Sequence, residues 1–212
     1  MATIAVVDYQ MGNLHSMAKA LERVAPRASI VVTASPREIE RASRVVFPGV
    51  GALSDYMAAL ERVGLREVVS QAAREKPFLG VCLGLQALFE WSEEGRTQGL
   101  GILKGKVVRF PRNHRSRRGE RLKVPHMGWN QIFPRDPAHP LWRGIQPGSW
   151  FYFVHSYYVR PAEEGLVAAR CEYGFPFPAA VCRANLVAVQ FHPEKSQDKG
   201  LHLLENFVHW SP

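Results

Sequence analysis

No stretch of this 212-residue chain stays apolar for the roughly 18 residues a membrane-spanning helix needs, and no basic N-terminal region leads into an apolar export segment. The expectation is a cytoplasmic protein with no membrane attachment. Cysteine is scarce: Cys82, Cys171 and Cys182 are odd in number and show no C-x-x-C spacing, which argues against a disulfide framework or a metal site. In a reducing compartment all three should be free thiols. Acidic side chains are in deficit, 19 against 27 Lys plus Arg, for a formal net charge of +8. That balance suits an anionic partner, whether nucleic acid, a phosphorylated metabolite or an acidic protein surface, without choosing among them. Repeats, low-complexity tracts and a dividing linker are also missing, so a single domain over residues 1–212 is expected. The 46% of hydrophobic residues suffices for a core of ordinary size.

What is present is, first, an alternation. "TIAVVDY", "SIVVTA", "RVVFPG" and "PFLGVCL" read as buried strands, and the segments between them repeat apolar residues at helical spacing, as Leu14, Met17, Ala18, Leu21 and Val24 do. Strand and helix in alternation predict an α/β fold with a mostly parallel sheet covered on both faces and functional groups at the strands' carboxyl ends. The second half is different: "KGKVVRF", "WNQIF", "WFYFVHSYYVR", "GLVAARCEY", "FPAAVCR" and "NLVAVQFH" read as strands between Gly and Pro turns. They predict an antiparallel extension plus the remaining core strands, closed by a helix over 198–209.

Second, "GVCLG" places Cys82 between Gly80 and Gly84 at a strand-to-helix turn, the cysteine counterpart of the G-x-S-x-G nucleophile elbow. Side chains at the glycine positions should collide with the following helix, and a helix N-terminus favours the thiolate. A base is needed, and "FHPEKS" offers one. His192 and Glu194 stand two apart at a strand's end, where i and i+2 project to one side, so the carboxylate can orient the imidazole toward Cys82. Cys171 and Cys182 read as small hydrophobes without a nearby histidine. His114, His139, His202 and His209 read as loop or surface residues. "PGVGAL" as a dinucleotide loop fails, since Ser54 stands where the third glycine belongs.

Taken together, "FPGVG", "GVCLGLQ" and "FHPEKS", in that order, resemble the class I (triad) glutamine amidotransferases from the first strand to the last helix. "DYQMGNLHS", "KVPHMGWN" and "YFVHSYY" narrow the likeness to the glutaminase subunits of imidazole glycerol phosphate synthases; Gln10 departs from the glycine usual there. The resemblance implies a flavodoxin-like fold and a Cys82, His192, Glu194 triad that hydrolyses glutamine through a thioester. It also implies an oxyanion hole from backbone N–H groups of Leu83 and the Val50–Gly51 segment, and glutamine contacts at Gly49, Gln86, Glu94, Ser156 and Tyr157, with Glu94 matching the ammonium. No cofactor or metal is implied.

Ammonia freed into neutral water becomes mostly ammonium, which has no lone pair for attack, so a glutaminase serving a synthesis must hand it directly to a second site. These 212 residues hold no synthase domain. The resemblance names the acceptor as a (β/α)₈ barrel cyclase subunit, docked through Asn13, Met127, Trp129, Tyr152 and Lys195. Another synthase's glutaminase, a cysteine hydrolase with the same elbow and a nucleic-acid-binding module are the alternatives. The last rests on Arg109, Arg112, Arg115, Arg117, Arg118, Arg121 and Lys123, a cationic run without the interleaved aromatics that stack bases. It reads first as solvated charge in a hairpin loop, second as a patch for an acidic rim of the barrel, and only third as a nucleic-acid site.

Overall fold

The computed structural model describes residues 2–10 and 14–212. The chain forms β1 (Thr3–Val7), α1 (His15–Val24), β2 (Ser29–Thr33), α2 (Pro36–Arg41), β3 (Arg44–Gly49), α3 (Leu53–Arg62), α4 (Arg66–Glu75), β4 (Phe78–Cys82) and the single turn α5 (Leu83–Gln86). There follow β5 (Phe89–Ser92), β6 (Thr97–Gln98), β7 (Leu103–Arg109), β8 (His126–Pro134), β9 (Ser149–His155), β10 (Tyr157–Pro161), β11 (Val167–Tyr173), β12 (Phe175–Arg183), β13 (Leu186–Val189) and α6 (Gln197–His209).

A nine-stranded sheet runs β2-β1-β3-β4-β13-β12-β11-β8-β9. The first five strands pair in parallel, and the other four join antiparallel. The parallel part has the flavodoxin-like order, whose carboxyl edge is the usual place for a site. Strand alternation divides the core. Ala5 and Val7 pack with Ile39, Leu60 and Val69 under α2, α3 and α4, while Ile4 and Val6 pack with Met17, Leu21, Leu204 and Phe207 of α1 and α6. Among the described residues no helix is long and apolar enough to cross a membrane.

Three expectations need correction. "WFYFVHSYYVR" is not one strand: it breaks at Ser156, so that β9 ends the large sheet while β10 enters a second sheet ordered β10-β7-β5-β6. Alternation continues across the break, and periodicity carries no information about which sheet a strand joins. The short strands β5 and β6 fall in a stretch for which no strand is predicted, because two to four residues are too few to show a period. His114, read as a loop residue, is buried and bonds through Nε2 to the Tyr173 carbonyl at 2.6 Å.

Candidate active site

Cys82 closes β4 with φ 55° and ψ −107°, a conformation that costs a side-chain-bearing residue about 1–3 kcal/mol. The neighbouring glycines explain how it is held. A Cβ on Gly84 would overlap the carbonyl oxygen of Phe47 on β3, so α5 starts with its backbone pressed directly onto the adjacent strand. A Cβ on Gly80 would lie 2.9 Å from both Ala188 Cβ and the Gly84 carbonyl oxygen. The expected clash with the following helix therefore applies to Gly80, whereas Gly84 is fixed by β3. Gly49 is required by packing as well: a Cβ there would meet the Tyr56 ring at 2.6 Å and Leu83 Cβ at 2.7 Å.

The thiol opens on a cavity of about 480 Å³ lined also by Val50, Gly51, Leu83, Gln86, Glu94, Ser156, Tyr157, His192, Glu194 and Lys195. Residues far apart in sequence meet there because β3, β4 and β13 are neighbours and their carboxyl ends point the same way. His192 and Glu194 arrive by a different route from the one expected. β13 ends at Val189, and Pro193–Lys195 form a 3₁₀ turn, so the two side chains do not project from a strand. They are joined nonetheless, His192 Nδ1 to Glu194 Oε1 at 2.8 Å, with side chains 1% and 9% exposed. The turn is tied to β9 by His192 N donating to the Tyr152 carbonyl at 2.9 Å and by Tyr152 N donating to Ser196 Oγ at 3.0 Å, while Ser196 Oγ donates within the turn to the His192 carbonyl at 2.6 Å.

Burial alone would drive His192 toward its neutral form. The charge of a Cys82 thiolate, joined by the Glu194 carboxylate, outweighs that and lifts its pKa to about 10. His192 Nε2 makes no hydrogen bond of normal geometry here, yet it lies near enough to Cys82 for both charge and a loose N–H···S contact to favour the protonated ring. Catalytic contacts of this kind commonly tighten only around a substrate.

Gln86 is 2% exposed, not the solvent-facing helix residue that helical spacing alone would suggest. Its Nε2 donates to the Tyr157 carbonyl at 3.2 Å and to Gln190 Oε1 at 3.1 Å, while its Oε1 is buried without a partner. Glu94 Oε2 accepts from Leu53 N at 2.8 Å, which fixes the carboxylate at the start of α3 on the pocket wall. Val50 N donates to the Tyr9 hydroxyl at 3.2 Å. Gln10 adopts φ 63°, the region glycine favours, and its N–H is held by Asp8 Oδ1 at 2.7 Å.

Sequence reasoning missed two parts of this region and one contact elsewhere in the molecule. Gln190 is fully buried and places Nε2 3.7 Å from Cys82 Sγ. A lone amide inside the apolar run "VAVQFH" was the available signal. His155 donates from Nδ1 to the Tyr157 carbonyl at 2.8 Å, which leaves its Nε2 to accept from His126 Nδ1 at 2.9 Å. Asn130 Nδ2 closes this chain on His126 Nε2 at 3.2 Å. Both histidines occupy inward positions of β8 and β9, which alternation could have revealed. The third is His139, whose Nε2 lies 3.6 Å from Cys182 Sγ, so Cys182 does have a histidine neighbour; burial keeps that thiol up at about 11.

On the outer face of β8 and β9, Met127 and Trp129 are exposed, with Trp129 opposite a half-buried Tyr152 at 6.1 Å between ring centroids. Phe133 and Trp150, unforeseen, extend this apolar face. Lys195 is exposed, and Asn13 lies outside the described residues. The basic tract does turn back on itself, Arg115 bridging Arg121, and borders a broad concavity of about 1090 Å³ lined by Arg109, Arg112, Arg121, Lys123 and Met127. Among the described residues no group of three or more His, Cys, Asp and Glu side chains is placed to hold a metal ion.

The chain is similar to proteins of known family. It is 57% identical over 213 residues to the imidazole glycerol phosphate synthase subunit HisH of Methylococcus capsulatus, a match that spans 100% of this chain and 98% of the relative. It is 59% identical over 210 residues to the protein of the same name from Thiobacillus denitrificans, covering 99% and 92%. Among solved structures, a putative GMP synthase subunit from Thermoplasma acidophilum superposes with a TM-score of 0.70 over 98% of this chain and 92% of the other, at 19% identity, which speaks for the fold alone. The family profile described as glutamine amidotransferase class-I matches residues 5–210. Over nearly its whole length, therefore, the chain belongs to the class-I glutamine amidotransferase family.

Proposed function

We propose that this chain is the glutaminase subunit of an imidazole glycerol phosphate synthase, with Cys82, His192 and Glu194 as its catalytic triad. The observation that carries the reading is a cysteine forced to φ 55° at the floor of a pocket, beside an imidazole whose far nitrogen is held by a buried carboxylate. The Cys82 thiolate attacks the side-chain carbonyl carbon of glutamine. His192, kept protonated past neutral pH, then gives its proton to the departing nitrogen, which leaves as ammonia. Water attacks the resulting thioester, His192 takes its proton, and glutamate departs as the thiolate is restored. Backbone N–H groups of Leu83 and Val50–Gly51 are assigned to the oxyanion, and loss of one such donor costs about 10²–10³ in rate. The unpartnered Oε1 of Gln86, with Glu94, suits a substrate that brings N–H donors and a positive charge.

Ammonia is passed to a separate (β/α)₈ barrel cyclase, which forms imidazole glycerol phosphate and AICAR. Its docking face gathers Met127, Trp129, Tyr152 and Lys195, along with Asn13, and takes in Phe133 and Trp150; aromatic and Met side chains are common interface anchors. The test is glutamate release by the chain alone, by the chain with its cyclase, and with the cyclase's nucleotide ligand added. Turnover should depend on Cys82 and rise with cyclase and ligand. Normal glutamate release by Cys82→Ala would overturn the chemistry, and a rate indifferent to the cyclase would overturn the coupling.

A further inference from the structure

We propose that Gln190 is a further catalytic residue, whose side-chain amide donates a hydrogen bond to the Cys82 sulfur and holds it as the attacking thiolate. The neighbours of two buried amides fix which end of each faces which atom. Gln86 contacts the backbone carbonyl of Tyr157 at 3.2 Å, and a carbonyl only accepts, so the contacting atom of Gln86 must be its NH₂ group. The same nitrogen lies 3.1 Å from Gln190, so Gln190 must present its oxygen there. The other end of Gln190, 3.7 Å from Cys82 Sγ, is therefore its NH₂. One carbonyl thus fixes the orientation of two buried amides and delivers a donor to the nucleophile.

Among the described residues, Cys82 Sγ also meets the Val154 carbonyl at 4.0 Å, besides its looser approach to His192. A carbonyl can only accept the thiol's proton, so this contact favours the neutral form, whereas an amide N–H strengthens as the sulfur becomes negative. Of the two, Gln190 is the contact matched to the reactive state. It is fully buried, with its backbone N–H bonded to the Ala179 carbonyl at 2.8 Å, so the donor is positioned before any substrate arrives. Gln86, which lines the glutamine pocket, sits at the far end of the same amide pair and braces it.

This proposal deepens the glutaminase reading and rests on it, so its test needs no glutamine turnover. The pH profile of Cys82 alkylation by iodoacetamide, followed on the Cys82 peptide by mass spectrometry, would be compared among wild type, Gln190→Met and Gln190→Glu. Met keeps the length and removes the donor; Glu keeps an oxygen for Gln86 but turns the other against the sulfur. The midpoint should rise by about 1–2 pH units in Gln190→Met, the loss expected for one hydrogen bond to a charged group, and further in Gln190→Glu. With glutamine as substrate, kcat should fall at least about tenfold while KM changes little. Folded variants whose alkylation midpoint equals that of wild type would overturn the proposal, even if glutamate release were slow. If neither variant folds, a change at the other partner of the contact still decides. In protein labelled with ¹⁵N at glutamine side chains, Cys82→Ala should shift the Gln190 NH₂ resonances, and their failure to move would overturn it.

Discussion

Acid should unfold this protein through two buried histidines outside the Cys82, His192, Glu194 triad. Burial, aided by His114, lowers the His126 pKa to about 4; burial, aided by His126 and His192, lowers that of His155 to about 3. Geometry gives the same answer: His155 Nδ1–H is committed to the Tyr157 carbonyl and His126 Nδ1–H to His155 Nε2, so a second proton on His155 would set two N–H groups against each other. In the unfolded chain both rings titrate near 6.5, so below that pH the unfolded state binds protons the native state refuses, and stability falls as pH falls. Each ring then costs about 1.4 kcal/mol per pH unit until its folded pKa is reached, so two rings remove about 4 kcal/mol by pH 5. That result depends little on the folded values, because pH 5 lies above both. His192 acts on the other side: its raised pKa, about 10, contributes stability that is constant below 6.5 and is lost as pH rises from there to 10. A loss of 4 kcal/mol is a large part of the roughly 5–15 kcal/mol of a typical domain. Urea unfolding at pH 7, 6 and 5, with histidine ring resonances followed by NMR, tests this. A free energy constant within about 1 kcal/mol, or His126 and His155 rings titrating near 6.5, would refute the argument.

Replacing Glu194 by Gln removes the charge that orients and stabilises protonated His192, and kcat should fall by about 10²–10⁴ with little change in KM, read from steady-state glutamate release. Gly84→Ala would drive a methyl into the Phe47 carbonyl; a loss of about 3 kcal/mol or more is expected in urea unfolding, together with loss of Cys82 alkylation at the native rate. Trp129→Ala should weaken cyclase binding by about 2 kcal/mol in calorimetry and leave the unfolding midpoint of the isolated chain unchanged, since the ring is 43% exposed. Tyr9→Phe deletes the acceptor of the Val50 N–H; glutamate release by the isolated chain should rise severalfold and its response to the cyclase should shrink.

The parallel half of the fold was legible because each strand there is a short apolar run between helices with clear apolar stripes; β3 over Arg44–Gly49 coincides with its reading residue for residue. The elbow was legible for a related reason. Close backbone approach admits only glycine, so Gly80 and Gly84 advertise the turn that holds Cys82. What stayed hidden depends on which segments meet. The second sheet and the turn carrying Glu194 depend on pairings between segments distant in sequence, and the approach of Gln86 to Tyr157 and to Gln190 on contacts 71 and 104 residues apart, none of which a local period encodes. His114 shows the same limit: nothing in "RNHRS" says that Tyr173, 59 positions on, will bury it.

The Tyr9–Val50 contact bears on how such an enzyme is restrained before its partner's site is loaded. An N–H forms one good hydrogen bond, so while Val50 donates to the Tyr9 hydroxyl it is not free to stabilise an oxyanion on the Cys82 side. Tyr9 cannot yield easily: it is fully buried, its ring lies 4.4 Å from that of Tyr56, and the Tyr56 hydroxyl in turn holds the Pro48 carbonyl at 3.1 Å. The two tyrosines thus grip the strand end on both sides of Gly49, whereas a Cβ on Gly51, at φ 102°, would meet nothing within 4 Å. A rotation of the Gly49–Val50 peptide is therefore resisted by both tyrosines. A change that displaces Tyr9 acts on the hydroxyl holding Val50, and needs no contact with Cys82 to change the rate.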